Sequence, residues 1–491
     1  MKKLLLLSTA AIMTLAATAQ TEHIHVFRND EQHHTVKASE TQQITFGTDE
    51  KGTQVMNITA TDGTVTQISM SAIDSCVVRP TALPEFHFFI TDYPNWTELQ
   101  GAKDDAHPGT MEMIGNGMFD DIPTMELVEF RGRGNSTWQM TKKPYRFKMS
   151  KKASICGLPK AKTFALIANY IDCTLMRNAI ALWTAQHLGM PYTNHCVPVK
   201  VYFNGINKGQ YMLTEKIGIG GGSVDIDETT GMLFELDSNY DEDYKFKYTW
   251  GSGWSQNTLP VMVKDPDIAE LAADATVTNI TDATAYFNLW KADFTKMADA
   301  VTSRSASESL SDVIDIESAV NFFFVNCLAS NHEMQHPKSF YMHKKSLEDG
   351  EVYHFGPVWD FDWAFTFDGQ EGQSATIPMV SSNGDYAGYS FIKLLCANQE
   401  FRTLFKAKLD AFVATGGGYD QLKAYIEEYA YLIEATAREN GVLYPSSQHP
   451  GVGYVTREDS YNFRENLEIL KTWIAQRVAY MQSHKNYGLY E

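Results

Sequence analysis

GPVWDFDWAF (residues 356–365) sets two carboxylates, Asp360 and Asp362, in a run otherwise made of Trp, Phe, Val and Ala. Two acids that close, in a segment apolar enough to be half buried, need a cation, a positive partner or a proton. Just upstream lies the polar stretch SNHEMQHPKSFYM (330–342), and between the two KKSLEDGEVYHF (344–355) reads as a β-hairpin turning at Asp349-Gly350. A hairpin there brings the polar loop and the acidic pair to one end of a small sheet. A loop that orients an acceptor, beside an Asp that follows a strand and holds magnesium, is the local geometry of phosphoryl transfer. An ordinary buried carboxylate pair has the same local geometry, so the surrounding chain has to decide.

Working outward, residues 85–215 predict strand, turn, strand, one helix and two more strands. EFHFFITD (85–92), LVEFRG (127–132) and PYRFKMS (144–150) are strand-like, and in the last Tyr145, Phe147 and Met149 alternate with Arg146 and Lys148. The Gly/Ser/Asn turn RGRGNSTW (131–138) lies between the second and the third. YIDCTLMRNAIALWTAQHLG (170–189) predicts a helix with Asp172 as a cap, a stripe of Leu175, Ala179 and Leu182, and Gly189 at its end. VPVKVYFNG (197–205) and KGQYMLTEK (208–216) predict a hairpin through Asn204-Gly205. A glycine turn, a lysine-bearing strand, a helix and a hairpin follow one another as in the small lobe of a protein kinase, where the turn covers the nucleotide phosphates. RGRGNS is nevertheless neither the usual kinase glycine pattern nor the Walker sequence, and a plain hairpin turn is the alternative.

Residues 216–310 read as polar and loop-rich. Asp237, Asn239 and Asp241 alternate like the start of a calcium loop, so a structural Ca2+ is one expectation. Glu242 stands where such a loop needs glycine and no glutamate sits at its twelfth position, so a solvated turn is the other. From 311 the chain turns helical: DIESAVNFFFVNCLA (315–329) would bury Ile316, Val320, Phe323 and Cys327 on one face. Further helices are expected at about 399–414, 419–439 and 457–485.

The 491 residues carry a formal net charge of −19, which repels nucleic-acid backbone and anionic lipid. Lys2 and Lys3, the apolar run LLLLSTAAIMTLAA and Ala17-Thr18-Ala19 have the form of a secretory signal peptide over 1–19. The expectation is therefore a secreted protein, periplasmic or extracellular at the cell surface, with no transmembrane segment in its mature chain. Residues 20–80 read as a small all-β module with a hairpin about Asp62-Gly63. The six cysteines show no CxxC; one pair among Cys156, Cys173 and Cys196 could bridge in an oxidising compartment.

His332-Glu333-Met334-Gln335-His336 matches H-E-x-x-H, the zinc-protease pattern, which requires both histidines on one face of a helix. Pro337 follows the second histidine at once, and the acids downstream, Glu348 and Glu351, flank a turn. A zinc metalloprotease is the weaker alternative on these residues.

Taken together, RGRGNSTW with KKPYRFK, the helix carrying LMRN, VYFNG…GQYMLTEK, NHEMQHPKSFYM and VWDFDWAF resemble the spore-coat protein H (CotH) kinase-like family. The resemblance runs over about 84–486. It implies an α+β, atypical protein-kinase-like fold of two lobes, a β-rich N-lobe (about 84–216) and a helical C-lobe (about 217–486), binding ATP and Mg2+. It further implies phosphoryl transfer to a protein Ser/Thr hydroxyl. Arg131 to Thr137 would be the phosphate-covering loop, with Arg131, Gly132, Gly134, Asn135 and Ser136 binding the cofactor, and Lys143, with Lys148 close behind, would be the phosphate lysine. Arg177 would reach toward the phosphates and Glu215 would start the segment joining the lobes. Asp360, helped by Asp362, would hold magnesium. Where the family usually shows an Asp and later an Asn in the catalytic loop, this chain has Glu333 as the catalytic carboxylate and Ser339 as the magnesium ligand. That departure keeps open a non-catalytic surface binding or adhesion protein on a degenerate fold. The partner would be a protein substrate or a surface ligand.

Overall fold

The structure is a computed structural model that describes residues 22–28, 33–80, 82–92, 103–253, 256–365, 374–380, 387–445 and 463–491. The expected signal peptide, 1–19, lies outside the described residues. The chain forms two compact units, 1–87 with 112–124, and 88–111 with 125–491.

The smaller unit carries strands β1 (Glu22–Arg28), β2 (His33–Lys37), β3 (Thr41–Thr48), β4 (Gln54–Ala60), β5 (Val65–Ser69) and β6 (Ile73–Pro80). They make two antiparallel three-stranded sheets, ordered β2-β1-β6 and β3-β4-β5. The β4–β5 turn is the one legible in the sequence: Asp62 Oδ1 accepts the Thr64 N–H at 2.8 Å, and Gly63 takes φ +86°. Ile24, Val26, Ile44, Met56, Ile58 and Ile68 form its core.

Seven strands, β7 (Glu85–Ile90), β8 (His107–Ile114), β9 (Ile122–Gly132), β10 (Tyr145–Ala153), β11 (Ala161–Ile167), β12 (Val197–Phe203) and β13 (Ile206–Glu215), close into a barrel in the order β10-β11-β13-β12-β7-β8-β9. The fold is mixed α+β, and the span expected as a β-rich N-lobe forms this closed barrel. The alternation in β10 explains the closure: Tyr145, Phe147 and Met149 are fully buried, while Arg146 and Lys148 point the other way. Phe88, Phe130, Phe147 and Phe203 meet inside, with Phe88 centroids 5.0–5.9 Å from the other three. The β12–β13 hairpin turns at Asn204 (φ +45°) and Gly205 (φ +83°), as a two-residue Asn-Gly turn should.

Helix α1 (Arg177–His187) leaves β11 by a loop in which Asn169 and Leu175 are left-handed, and so begins later than the expected 170. Its N-cap position is Met176, which makes no side-chain cap hydrogen bond; Asp172, in the loop before it, accepts from Thr174 N and from Arg177 N, the first residue of the helix, both at 2.9 Å.

The stretch read as loop-rich is in fact ordered. Strands β14 (Met232–Leu236), β15 (Lys245–Trp250) and β16 (Asn257–Asp265) join β17 (Phe340–Lys344) and β18 (His354–Phe355) in one sheet, β15-β16-β14-β17-β18. β14 is buried on both faces, so its sequence lacks the alternation that marks a half-buried strand. Helices α2 (Ile268–Ala273) and α3 (Ala283–Ser303) follow β16. The expected hairpin about Asp349-Gly350 exists, but its strands are β17 and the short β18, joined by the longer loop 345–353.

Helix α4 (Ile316–Ala329), capped by Asp315, is buried on all sides except at Glu317 rather than on one face. Against it pack α1 and two later helices, α6 (Gln399–Val413) and α8 (Phe463–Ser483), while α5 (Ala387–Ala397) packs on α3 and α6, and α7 (Gly418–Leu443) on α1, α6 and α8. None of the described helices is long and apolar enough to cross a membrane.

Candidate functional site

A cleft of about 1130 Å³ opens among the barrel, the five-stranded sheet and the loops before β17 and after β18. Of the residues singled out from sequence, Arg131, Gly132, Gly134, Asn135, Ser136, Glu333, Ser339, Asp360 and Asp362 all line it. The glycine turn is shaped by its two glycines: a Cβ on Gly132 would run into the Trp138 ring, and Gly134 sits at φ +79°.

One wall is cationic. Arg131 pairs with Asp104 at 2.8 Å and with Glu129 at 2.9 Å, and Arg146 pairs with the same Glu129 at 2.5 Å. Burial would raise the Glu129 carboxyl, but Arg146 and then Arg131 outweigh it and hold it below the usual range. Lys264 lies 2.8 Å from Glu235 and 2.9 Å from Glu242. Burial alone would lower it, and these two carboxylates instead hold it above the ordinary lysine value. Lys103, Arg133, Lys216 and Lys338 complete the positive lining.

The opposite side is acidic. Asp362 is 3% exposed, and its Oδ1 has no hydrogen-bond partner among the described residues. Burial, then the neighbouring Asp360, push its carboxyl well above the usual range. Glu333 is raised to about 8 by burial and by Asp360. Asp237 is raised to about 6 by burial, although it accepts from Asn239 N at 2.7 Å and Ser339 N at 3.3 Å. The turn expected to be solvated therefore buries its first acid against the loop before β17. Asp360 and Ser339 both have left-handed backbones, φ +68° and +49°, a strain of about 1–3 kcal/mol each that the surroundings must hold.

Four expected residues sit elsewhere. Lys143 does not line the cleft; its Nζ donates to Trp138 O at 2.7 Å and lies 4.9 Å from the Trp138 ring centroid. Lys148 is exposed on β10, and the ion pairs of Arg146, two residues earlier, face the cleft instead. Arg177 is fully buried beside Asp172 (3.6 Å) and lies outside the lining. Glu215 faces His195, with Oε1 2.5 Å from Nδ1, and raises that imidazole through the hydrogen bond. It is the next residue, Lys216, that reaches the cleft. Arg146 and Lys216, which the sequence did not offer as site residues, also line the cleft, as do Arg133 of the expected phosphate-covering loop and Asp237 of the calcium-like turn.

The zinc pattern is not assembled. His332–Gln335 is a single 3-10 turn, so His332 and His336 do not stack as on an α-helix. The His332 ring lies between Ser330 Oγ (3.3 Å) and Gln335 Nε2 (2.8 Å), and burial pushes it down to about 4. Among the described residues no three His, Cys, Asp or Glu side chains converge as a metal-ligand group. All six cysteines are free thiols, so no bridge joins Cys156, Cys173 or Cys196; burial pushes Cys156 and Cys196 up to about 12.

The family described as CotH kinase protein matches residues 129–481, a span that contains nearly all of the cleft. The chain belongs to this family. No curated protein matches it.

Proposed function

We propose that the cleft is a phosphoryl-transfer site that takes the γ-phosphoryl of ATP, with magnesium, to a Ser or Thr hydroxyl of a protein. The observation that carries this reading is the pairing of walls: fixed cations from the barrel and the sheet face buried carboxylates across one cleft, in a chain of net charge −19. A polyanion with a metal satisfies both walls at once.

The donor set suits Mg2+. That ion is commonly held by one or two carboxylates and completed by substrate phosphates, and Asp360 with the orphaned Asp362 Oδ1 offers two hard oxygens rather than a full cage. Bound there, it would neutralise charge on the phosphates. Arg131 and Arg146, held in place by Glu129, would fix the phosphate chain from the barrel side, and Lys264 from the sheet side. Glu333 would accept the proton of the acceptor hydroxyl at its carboxylate, which requires that it be ionised first; the cations of a loaded cleft favour that form.

A second reading has its own observation. Glu333, raised to about 8 in the free protein, is mostly protonated at neutral pH, which suits a site that binds without transferring. Incubation with γ-labelled ATP and Mg2+, beside Asp360→Asn, separates the two. Label on protein hydroxyls in the wild type alone supports transfer; bound nucleotide without label supports a surface binding module. The leader-like segment 1–19 supports export, and recovery of the mature chain outside the inner membrane tests that part.

A further inference from the structure

We infer that Arg133 is the side chain that grips the donor's terminal phosphates, the task the sequence assigned to Lys143. This rests on the reading of the cleft as a phosphoryl-transfer site. Arg131, Arg146 and Lys264 would share their charge between a phosphate and the carboxylates that already hold them: Arg131 with Asp104 and Glu129, Arg146 with Glu129, Lys264 with Glu235 and Glu242. Arg133 differs from all three. Among the described residues no carboxylate stands at ion-pair distance from its guanidinium and no side-chain hydrogen bond engages it. It is half-buried, and its guanidinium carbon lies 5.2 Å from the centroid of the Trp359 ring.

That placement has a chemical consequence. Trp359 immediately precedes Asp360, so the indole that carries the guanidinium also carries the backbone of the acidic pair. Arg133 is close enough to Asp360 and Asp362 to feel both charges without bonding to either. A half-buried guanidinium keeps its charge and needs an acceptor. Its planar fork matches two phosphate oxygens, and stacking on Trp359 fixes the plane of the fork before the ligand arrives. An anion seated between Arg133 and the carboxylates, with a cation bridging it to the acids, satisfies all three. Lys143 cannot do this while its ammonium is spent on the Trp138 carbonyl. The residue one position before the glycine at φ +79° is thereby held over the cleft while the lysine beyond the loop turns away.

The test is calorimetric titration of ATP, ADP and AMP, each with Mg2+, into the wild type, Arg133→Gln, Arg133→Lys and Lys143→Ala. The expected result is an ATP affinity at least about tenfold weaker in R133Q, the loss of a charge-assisted contact, with a smaller loss for ADP and none for AMP. R133K, which keeps the charge but loses the fork, should fall between, and K143A should match the wild type. R133K also guards against a folding artefact, since each variant's thermal midpoint is measured beside its affinity. Wild-type ATP binding that R133Q leaves unchanged overturns the inference alone. Absence of nucleotide binding in the wild type overturns the site reading and the inference with it.

Discussion

Asn178 Oδ1 accepts the backbone N–H of Phe361 at 2.9 Å, which ties the first turn of α1 to the one residue between Asp360 and Asp362. Asn178 Nδ2 in turn donates at 2.9 Å to Oδ1 of Asn169, a left-handed residue in the loop that follows β11. The barrel, the helix and the acidic turn are thus held by one amide, and both asparagines line the cleft. In Asn178→Ala a buried N–H is left unpaired, a loss of roughly 1–3 kcal/mol in stability. Phosphoryl transfer should fall further, by ~10²-fold, because the carboxylates shift by ~1 Å. Denaturant unfolding and a transfer assay on the same preparation check the two effects separately.

Arg177 and Asp172 form an ion pair that is 0% exposed on both sides. Arg177→Met strands a buried carboxylate and should cost about 3–5 kcal/mol of stability. The ATP affinity of the folded fraction should not change. Intact stability with lost binding would restore the role expected from sequence.

Lys143→Ala removes the cap on the Trp138 carbonyl, a loss of about 1 kcal/mol, and frays the 3-10 turn over 136–139. Hydrogen exchange of the Met140 amide, which bonds to Thr137 O at 3.2 Å, should accelerate, whereas nucleotide affinity stays as it was. Protection unchanged in this amide would contradict the structural role.

The raised carboxyls make the free protein sensitive to alkali. Glu333 titrates near 8 when folded and near 4.5 when unfolded, so the folded state holds the extra proton and stability falls as pH rises between those values. His332 and His343, both depressed to about 4 by burial, act oppositely between there and 6.5. Above pH 6.5 the carboxyls therefore dominate this balance. The thermal midpoint of ligand-free protein should drop from pH 6.5 to 8, and the slope should flatten in Glu333→Gln. An equal slope in both proteins would remove Glu333 from the account.

What the sequence disclosed follows the physics of each segment. Alternating strands such as Tyr145–Met149, the Asn204-Gly205 turn and the Asp62-Gly63 turn each carry a local signal, and each was legible. β14 was not, because a strand buried on both faces has no alternation to read. α3 was legible in principle: Asp282 caps it, and Trp290, Phe294, Met297 and Val301 are buried at helical spacing, but its polar surroundings drew the reading toward loop. Barrel closure depends on pairing between strands far apart in the chain, which local pattern does not encode. The site followed the same rule. Backbone-determined positions, the glycine turn and the Asp360–Asp362 turn, came out in the cleft. Which cation faces it depends on side-chain direction, so Lys143 and Arg177 fall outside the lining while Arg133 and Arg146 belong to it.

The central claim is that buried carboxylates and fixed cations of one cleft hold a metal–nucleotide pair. Its most direct test is an ATP titration followed by thermal shift, with and without Mg2+, on the wild type and Asp362→Asn. A ligand that binds only the folded state raises the midpoint by mass action. The account predicts a magnesium-dependent rise in the wild type and none in Asp362→Asn, whose ligand-free midpoint should itself be higher because the fold no longer has to keep a buried carboxyl protonated. No rise in the wild type at millimolar ATP and Mg2+, or an equal rise in both proteins, would contradict it.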